Sequence, residues 1–271
     1  MIAGSEGSTN RMVSLNTKVG LLILPGLNLI MLMLLWEVLV RLFAIPVFIL
    51  PAPSLILSKM LEQAPILWEN SLYTLYQTLA GFVLSVLAGV IVAIAIAWSG
   101  YLRNAIYPIL LLFQSIPKTA IAPLIILWFG YGDISKIVIA FLVAFFPIVV
   151  NTAMGLMDVD DNMLDLVRSL KCDRFQEFQY IRLPNALPAL FSGAKVAITL
   201  AIIGAVIGEF VGASNGLGYL ILLYTSSLQT ALVFSCLVIL SLQGIVLFYS
   251  IEYIEKLALP WSRNENSNKI Y

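Results

Sequence analysis

The chain has no histidine and only two cysteines among its 271 residues. Without imidazole there is no His-x-x-x-His metal site, no haem-type histidine ligation and no Ser-His or Cys-His catalytic pair. The cysteines, Cys172 and Cys236, fall in a polar loop and in an apolar run, so no disulfide framework is on offer. Charge is scarce as well. Charged residues make up 11% of the chain and cancel to a formal net charge of zero, which leaves no basic field to draw nucleic acid. With no histidine to activate a serine and no pair of aspartates within an apolar segment, an intramembrane enzyme has no chemistry to work with. A Gly-x-x-x-x-Gly-Lys-Ser/Thr phosphate loop is missing too, and any ATP must be handled elsewhere.

Hydrocarbon fills the space that polar residues leave. The chain is 61% hydrophobic, with a mean hydropathy of +0.97, whereas a soluble chain is about half apolar and about a quarter charged. Six apolar segments, near 20–43, 73–98, 105–128, 136–157, 187–211 and 228–251, are long enough to cross about 30 Å of hydrocarbon as helices. The expected fold is an all-α polytopic membrane protein of six transmembrane helices. It forms one domain over 19–255, between polar tails at 1–18 and 256–271. Lys18 before the first apolar run imitates a secretory signal, but the run reaches Trp36 without a small-residue cleavage site and reads as a retained span. Lysine and arginine counts set the orientation, with ten on the side of the two termini and two, Lys59 and Lys136, on the other. That asymmetry puts both termini in the cytoplasm. Between the first two spans, Pro46, Pro51, Pro53 and Pro65 surround an amphipathic stretch, 54–63, expected to lie as a helix on the membrane surface. The uncharged connection 211–227, with Gly212, Gly216 and Gly218, reads as a tight re-entrant turn.

One polar island interrupts this pattern. Residues 158–188 hold ten of the thirty charges: Asp158, Asp160, Asp161, Asp165, Arg168, Lys171, Asp173, Arg174, Glu177 and Arg182. Two short helices are expected there. Asp160 or Asp161 caps the first, over 162–170, and Asp173 caps the second, over 172–179, with Gln176 completing a capping-box pair. Leu183-Pro184 is expected to stop the second helix before the next span.

Several residues stand out against the apolar background. Gly81, Ser85, Gly89, Ala93 and Ala97 recur every fourth residue, as do Gly204, Gly208 and Gly212. Such faces serve either as sliding gates or as plain close packing, and two copies of the chain packed along them would enclose a pore. Gln114, Pro117, Lys118 and Pro123 mark a helix interrupted by prolines, which suits a cavity lining. Lys118 reads either as a pathway cation or as a side chain reaching for the cytoplasmic surface. Glu209, followed by Gly216 and Gly218, is a carboxylate in or near the bilayer: either a functional group or a wetted anchor for a loop. Lys195 reaches the inner interface or the pathway, while Glu37 and Arg41 can pair on one face and carry no assigned role.

Asp165-Leu166-Val167, three residues, Lys171, nine residues and Ile181-Arg182-Leu183-Pro184 together resemble the cytoplasmic "EAA" loop of bacterial ABC-importer permeases. Asp-Leu-Val stands where that pattern has Glu-Ala-Ala, and Lys171 where it has glycine. Pro117-Lys118-Thr119-Ala120-Ile121-Ala122-Pro123 with Trp128-Phe129-Gly130 is similar to permeases of the nitrate, sulfonate and taurine type. So is 208–213 with Gly216-Leu217-Gly218-Tyr219, and the likeness covers 73–261. The resemblance implies a type I ABC-importer permease that is not itself an enzyme, with a coupling loop at 158–188 between its fourth and fifth helices. It implies two ATPase subunits holding ATP and magnesium, a periplasmic or lipid-anchored solute-binding protein and a second permease copy, in the bacterial inner membrane. No metal, nucleic acid or cofactor of the chain's own is expected. The loop residues it points to are Asp165, Arg168, Lys171, Cys172, Asp173, Arg174, Phe175, Glu177, Phe178, Ile181, Leu183 and Pro184; the pathway or gate set is Gln114, Pro117, Lys118, Pro123, Glu209, Gly216 and Gly218. The implied solute is small and polar or anionic, closer to a sulfonate or a pyrimidine precursor than to nitrate or bicarbonate. An ATP-independent carrier or channel is the alternative, but the inverted repeats and paired ionisable relays it would show are not seen.

Overall fold

The computed structural model describes residues 26–260, so the tail at 1–18 and most of the tail at 256–271 lie outside the described residues. Within them every regular element is helical: α1 (26–42), α2 (Pro53–Glu62), α3 (Ala64–Trp98), α4 (Gly100–Ser115), α5 (Lys118–Phe129) and α6 (Asp133–Met157). These are followed by α7 (Asp161–Ser169), α8 (Arg174–Glu177), a π-helical turn (Phe178–Arg182), α9 (Leu183–Gly212), α10 (Leu217–Ser226) and α11 (Thr230–Ala258). Among the described residues four helices are long and apolar enough to cross a membrane: α3, α6, the continuous run from α8 through α9, and α11.

Proline chemistry accounts for most departures from the expected boundaries. The third apolar segment is two helices rather than one, because Ile116, ahead of Pro117, takes an extended conformation (φ −72°, ψ 129°) that ends α4. Pro117 then begins α5, while Pro123 is absorbed inside it without a second break. α3 starts at Ala64 instead of Tyr73, since Pro65 sits in the first turn, where its missing N–H leaves no bond unmade. The surface stretch 54–63 forms α2, and most of the connection 211–227 is helix α10 rather than a bare turn.

Leu183-Pro184 does not stop the helix that precedes it. The chain runs from α8 into α9 through the wide turn Phe178–Arg182, where the Leu183 N–H donates to the Phe178 carbonyl, five residues back. A proline ring in a helix collides with the carbonyl four residues earlier. Widening the turn by one residue moves that carbonyl aside, so the helix continues past Pro184.

α6 lies at the centre, between α3 and α9. Its Ala140 is touched from both sides: a Cβ at Gly81 would stand 2.6 Å from Ala140 Cβ, and one at Gly204 would stand 2.7 Å from Ala140 Cα. Gly89 meets Ile148 and Gly208 meets Lys136 in the same way. Ser85 Oγ lies 2.9 Å from the Phe141 carbonyl and 2.8 Å from that of Gly81, adding a polar contact to the α3–α6 seam. Both small-residue faces are thus filled from within the chain. They are not the seam between two copies, because α6 occupies Gly81, Gly89, Gly204 and Gly208, and Tyr131 and Ile126 cover Gly212. In a bilayer, where the lipid is as apolar as the helices, such close backbone approach is what holds helices together. Gly204→Ala is expected to cost about 1–3 kcal/mol by overpacking, read as a lower unfolding temperature in detergent. Gly244→Ala, whose Cβ would meet only Ile202 Cδ1 at 3.5 Å, should leave that temperature unchanged.

Candidate functional site

At one end of the bundle the polar island builds a firm, partly apolar knob. Asp160 Oδ1 accepts the Asn162 N–H at 2.8 Å and starts α7. The helix buries Leu164 and Val167 and exposes Met163 and Leu166, with Leu170 exposed just after it. The chain then turns at Lys171, whose φ of 55° is the left-handed conformation that glycine adopts freely. The Cys172 N–H closes that turn on the Val167 carbonyl at 3.2 Å, so the lysine takes the glycine geometry at a cost of about 1–2 kcal/mol. Asp173 and Gln176 form the expected capping box, with Asp173 Oδ1 accepting the Gln176 N–H at 2.7 Å and Gln176 Oε1 accepting the Asp173 N–H at 3.0 Å.

Three long helices hold this knob. Phe178 packs edge-on against Trp98 at the end of α3, with ring centroids 5.6 Å apart. Arg182 Nε donates to Glu177 at 2.7 Å while its Nη1 donates to the Leu156 carbonyl of α6 at 3.2 Å. Asn185 Nδ2 lies 3.0 Å from the Gly155 carbonyl and 2.7 Å from that of Asp158, serving the free end of α6. Phe175 and Tyr180 stand 62% and 71% exposed beside the solvent-facing Cys172, Asp173 and Arg174. Asp165 is exposed on α7; Ile181 and Pro184 are half-buried at the root of α9, next to the exposed Leu183. Arg168 belongs to α7 and Gln114 to α4, and their side chains lie outside the described residues.

The second cluster sits at the opposite end of α9. Glu209 is 1% exposed, so it is no wetted interface residue. Its Oε1 accepts the Thr74 hydroxyl at 2.7 Å and its Oε2 accepts the Gly218 N–H at 2.6 Å. Thr74 Oγ1 also accepts the Leu217 N–H at 2.9 Å, and Asn70 Oδ1 accepts that of Gly216 at 2.7 Å. Three first-turn N–H groups of α10 are thereby satisfied from α3 and α9, since its N-cap, Gly216, has no side chain to do so. The glycines make room. A Cβ at Gly216, which has φ 110°, would overlap the Glu209 carboxylate, and one at Gly218 would lie 2.8 Å from Oε2.

Glu209, Gly216 and Gly218 therefore come together, whereas Lys118 lies elsewhere, at the start of α5 and 5.6 Å from the centre of the Phe146 ring. Lys195 pairs with Glu255 of α11 at 2.7 Å. Lys136, in the first turn of α6, is buried inside the bundle, 3.7 Å from Asp133, which also accepts from Gln77 Nε2 at 3.0 Å. Sequence reading missed Asn70, Thr74 and Gln77. Their signal is a polar stripe at spacings of four and three, one turn before the small-residue face of the same helix. Thr74→Ala removes one bond to Glu209 and one to Leu217. Loss of buried bonds worth about 1–2 kcal/mol should speed hydrogen exchange of the amides at 217 and 218 roughly ten-fold or more. Unchanged protection there would mean that the latch does not hold α10.

Residues 85–258 match the family described as "Binding-protein-dependent transport system inner membrane component". The chain is 35% identical to the formylaminopyrimidine transport permease protein ThiX of Halalkalibacterium halodurans, over 89% of its own length and 96% of that protein. It is 30% identical to a putative aliphatic sulfonates transport permease protein, SsuC, of Bacillus subtilis, over 83% of each. The fold is that of a chain in the inward-facing MetNI methionine ABC transporter, with a TM-score of 0.63 at 19% identity, over 72% of this chain and 97% of that one. With its helical architecture and the resemblance of its polar loop, the chain belongs to the family of binding-protein-dependent inner-membrane transport components, as the permease subunit of an ABC importer.

Proposed function

We propose that this permease admits a small heteroaromatic solute of the pyrimidine-precursor kind, delivered by a separate binding protein and driven by two ATPase subunits. The solute class rests on the 35% identity to the formylaminopyrimidine permease, against 30% to the sulfonate relative, which keeps an alkyl sulfonate as the alternative. ATP and magnesium belong to the ATPase partners, and two permease copies enclose the path. The basic-residue asymmetry puts both termini and the polar knob in the cytoplasm, where the ATPases are.

One observation carries the coupling role: the knob and the Glu209 latch lie on the same continuous helix. Arg174–Gly212 runs 39 residues, roughly 58 Å at 1.5 Å per residue. The exposed Met163, Leu166, Leu170, Phe175 and Tyr180 offer the ATPase an apolar docking surface with Asp173 and Arg174 at its edge. Closure of the ATPase pair pushes on α8. Because α9 packs on α6 backbone to backbone, the push is transmitted along the helix and not absorbed by side chains.

Phe178→Pro tests this. Phe178 N–H bonds to the carbonyls of the preceding turn and its ring holds Trp98, so proline there severs α8 from α9. In vesicles holding the full importer, uptake of a labelled aminopyrimidine is expected to collapse while ATP hydrolysis continues. Uptake at the wild-type rate would overturn the coupling role. Failure of the unaltered importer to take up aminopyrimidine, with alkyl sulfonate taken up instead, would overturn only the solute.

A further inference from the structure

Beside α10, helices α3 and α11 diverge and leave a groove of about 680 Å³ between them. Its walls are apolar from Met60 and Trp68 at the mouth to Leu79 and Val246 at the far end. The polar side chains that reach it, Ser71 and Gln243, bond to each other across the gap: Gln243 Nε2 lies 2.8 Å from the Ser71 carbonyl and 2.7 Å from its Oγ. An occupant meets hydrocarbon along its length.

Dimensions decide between occupants. From Ala64 to Leu79 the α3 wall spans 15 residue-to-residue steps, roughly 22 Å at 1.5 Å per step. A helix crossing the bilayer needs a groove of about 30 Å, whereas an acyl chain of one leaflet needs only about half that thickness. The mouth also has the marks of a lipid headgroup site. Trp68 is 66% exposed there, and tryptophan is enriched at membrane interfaces. Lys59, in the last turn of α2 beside Met60 and Leu61, pairs with Glu62 at 2.7 Å, both side chains being open to solvent. Such a surface pair is worth at most about 1 kcal/mol, so a phosphate can take over the lysine.

We propose that the groove between α3 and α11 is a phospholipid site, holding one acyl chain of the leaflet next to α2 with the lipid phosphate against Lys59. The lipid fills the gap that the Ser71–Gln243 bridge spans and so completes the contact between α3 and α11.

The test uses the importer assembled with its ATPase subunits in vesicles doped with phosphatidylglycerol carrying a diazirine midway along one acyl chain. After illumination, labelled peptides are mapped by mass spectrometry. Label is expected to concentrate on Leu75, Leu79, Ile239 and Val246 over the exposed Leu124 and Leu127 of α5. L75W/L242W, which fills the groove, should abolish that excess while the complex still elutes as one species. Lys59→Gln should lessen it for phosphatidylglycerol more than for phosphatidylcholine carrying the same chain. Even labelling of the groove and of α5 in the unaltered protein would overturn the proposal, and that ratio decides alone if L75W/L242W fails to assemble. A disulfide between two copies through Leu242→Cys would overturn it in favour of a permease contact.

Discussion

A helix end beside hydrocarbon has no water to satisfy its free N–H and C=O groups, and this chain answers with side chains sent from other helices. α10 begins on Glu209, Thr74 and Asn70. α2 begins on Glu37, whose carboxylate accepts the Ser54 N–H at 3.0 Å and lies 2.7 Å from its hydroxyl, while the N-cap, Ala52, offers nothing. α6 ends on Asn185 and Arg182 of the next segment. Each of these bonds does two jobs: it satisfies a backbone group and fixes where a short or terminal piece sits against a long helix. The same need explains why Glu37 and Arg41, a mere surface pair by their spacing, stand where they do.

Rigidity follows from the way the long helices meet. Between α6 and its neighbours the backbones come close, at Gly81 and Gly204 against Ala140 and at Gly208 against the Cα of Lys136. A helix seated so closely moves as a body or not at all. The π-helical turn at Phe178–Arg182 belongs to the same logic, since it carries the helix past Pro184 and keeps the polar knob in line with α9. Glu177, Arg182 and Trp98 brace that turn from the side, so force applied to α8 has little freedom to bend it.

What could be read from sequence was what depends on near neighbours. The capping box at Asp173 and Gln176 is a matter of three residues and was legible, while the turn at Lys171 was marked only by the resemblance, whose pattern has glycine there. The break at Ile116 follows equally from Pro117. Legibility failed where a local rule met a compensating partner: Pro184 should end a helix, yet a wide turn accommodates it, and Pro65 marked a loop where it opens a helix. It failed again for the latch, because Thr74 and Glu209 are 135 residues apart and a hydrogen bond across that gap leaves no periodic trace. The small-residue faces were visible, but their partner was not. Nothing in a spacing of four says whether the opposing helix comes from the same chain or from another copy.

The two sets of glycines do different work, and the difference bears on how the permease can move. Gly81 and Gly204 let helices touch, so replacing them strains packing. Gly216 and Gly218 let a helix start around a buried carboxylate. A serine or aspartate at 216 would be the ordinary local cap for α10, but φ there is 110° and the space is taken by Glu209. The cap therefore comes from α9, with Thr74 bonded to Glu209 and to Leu217 at once. That arrangement ties α3, α9 and the start of α10 through one hydroxyl. If α9 shifts relative to α3, either Glu209 releases Thr74 or α10 travels with it. Under the proposed coupling role, a push arriving along α9 from the polar knob would meet, at the far end, a junction with two discrete outcomes, as an alternating gate requires.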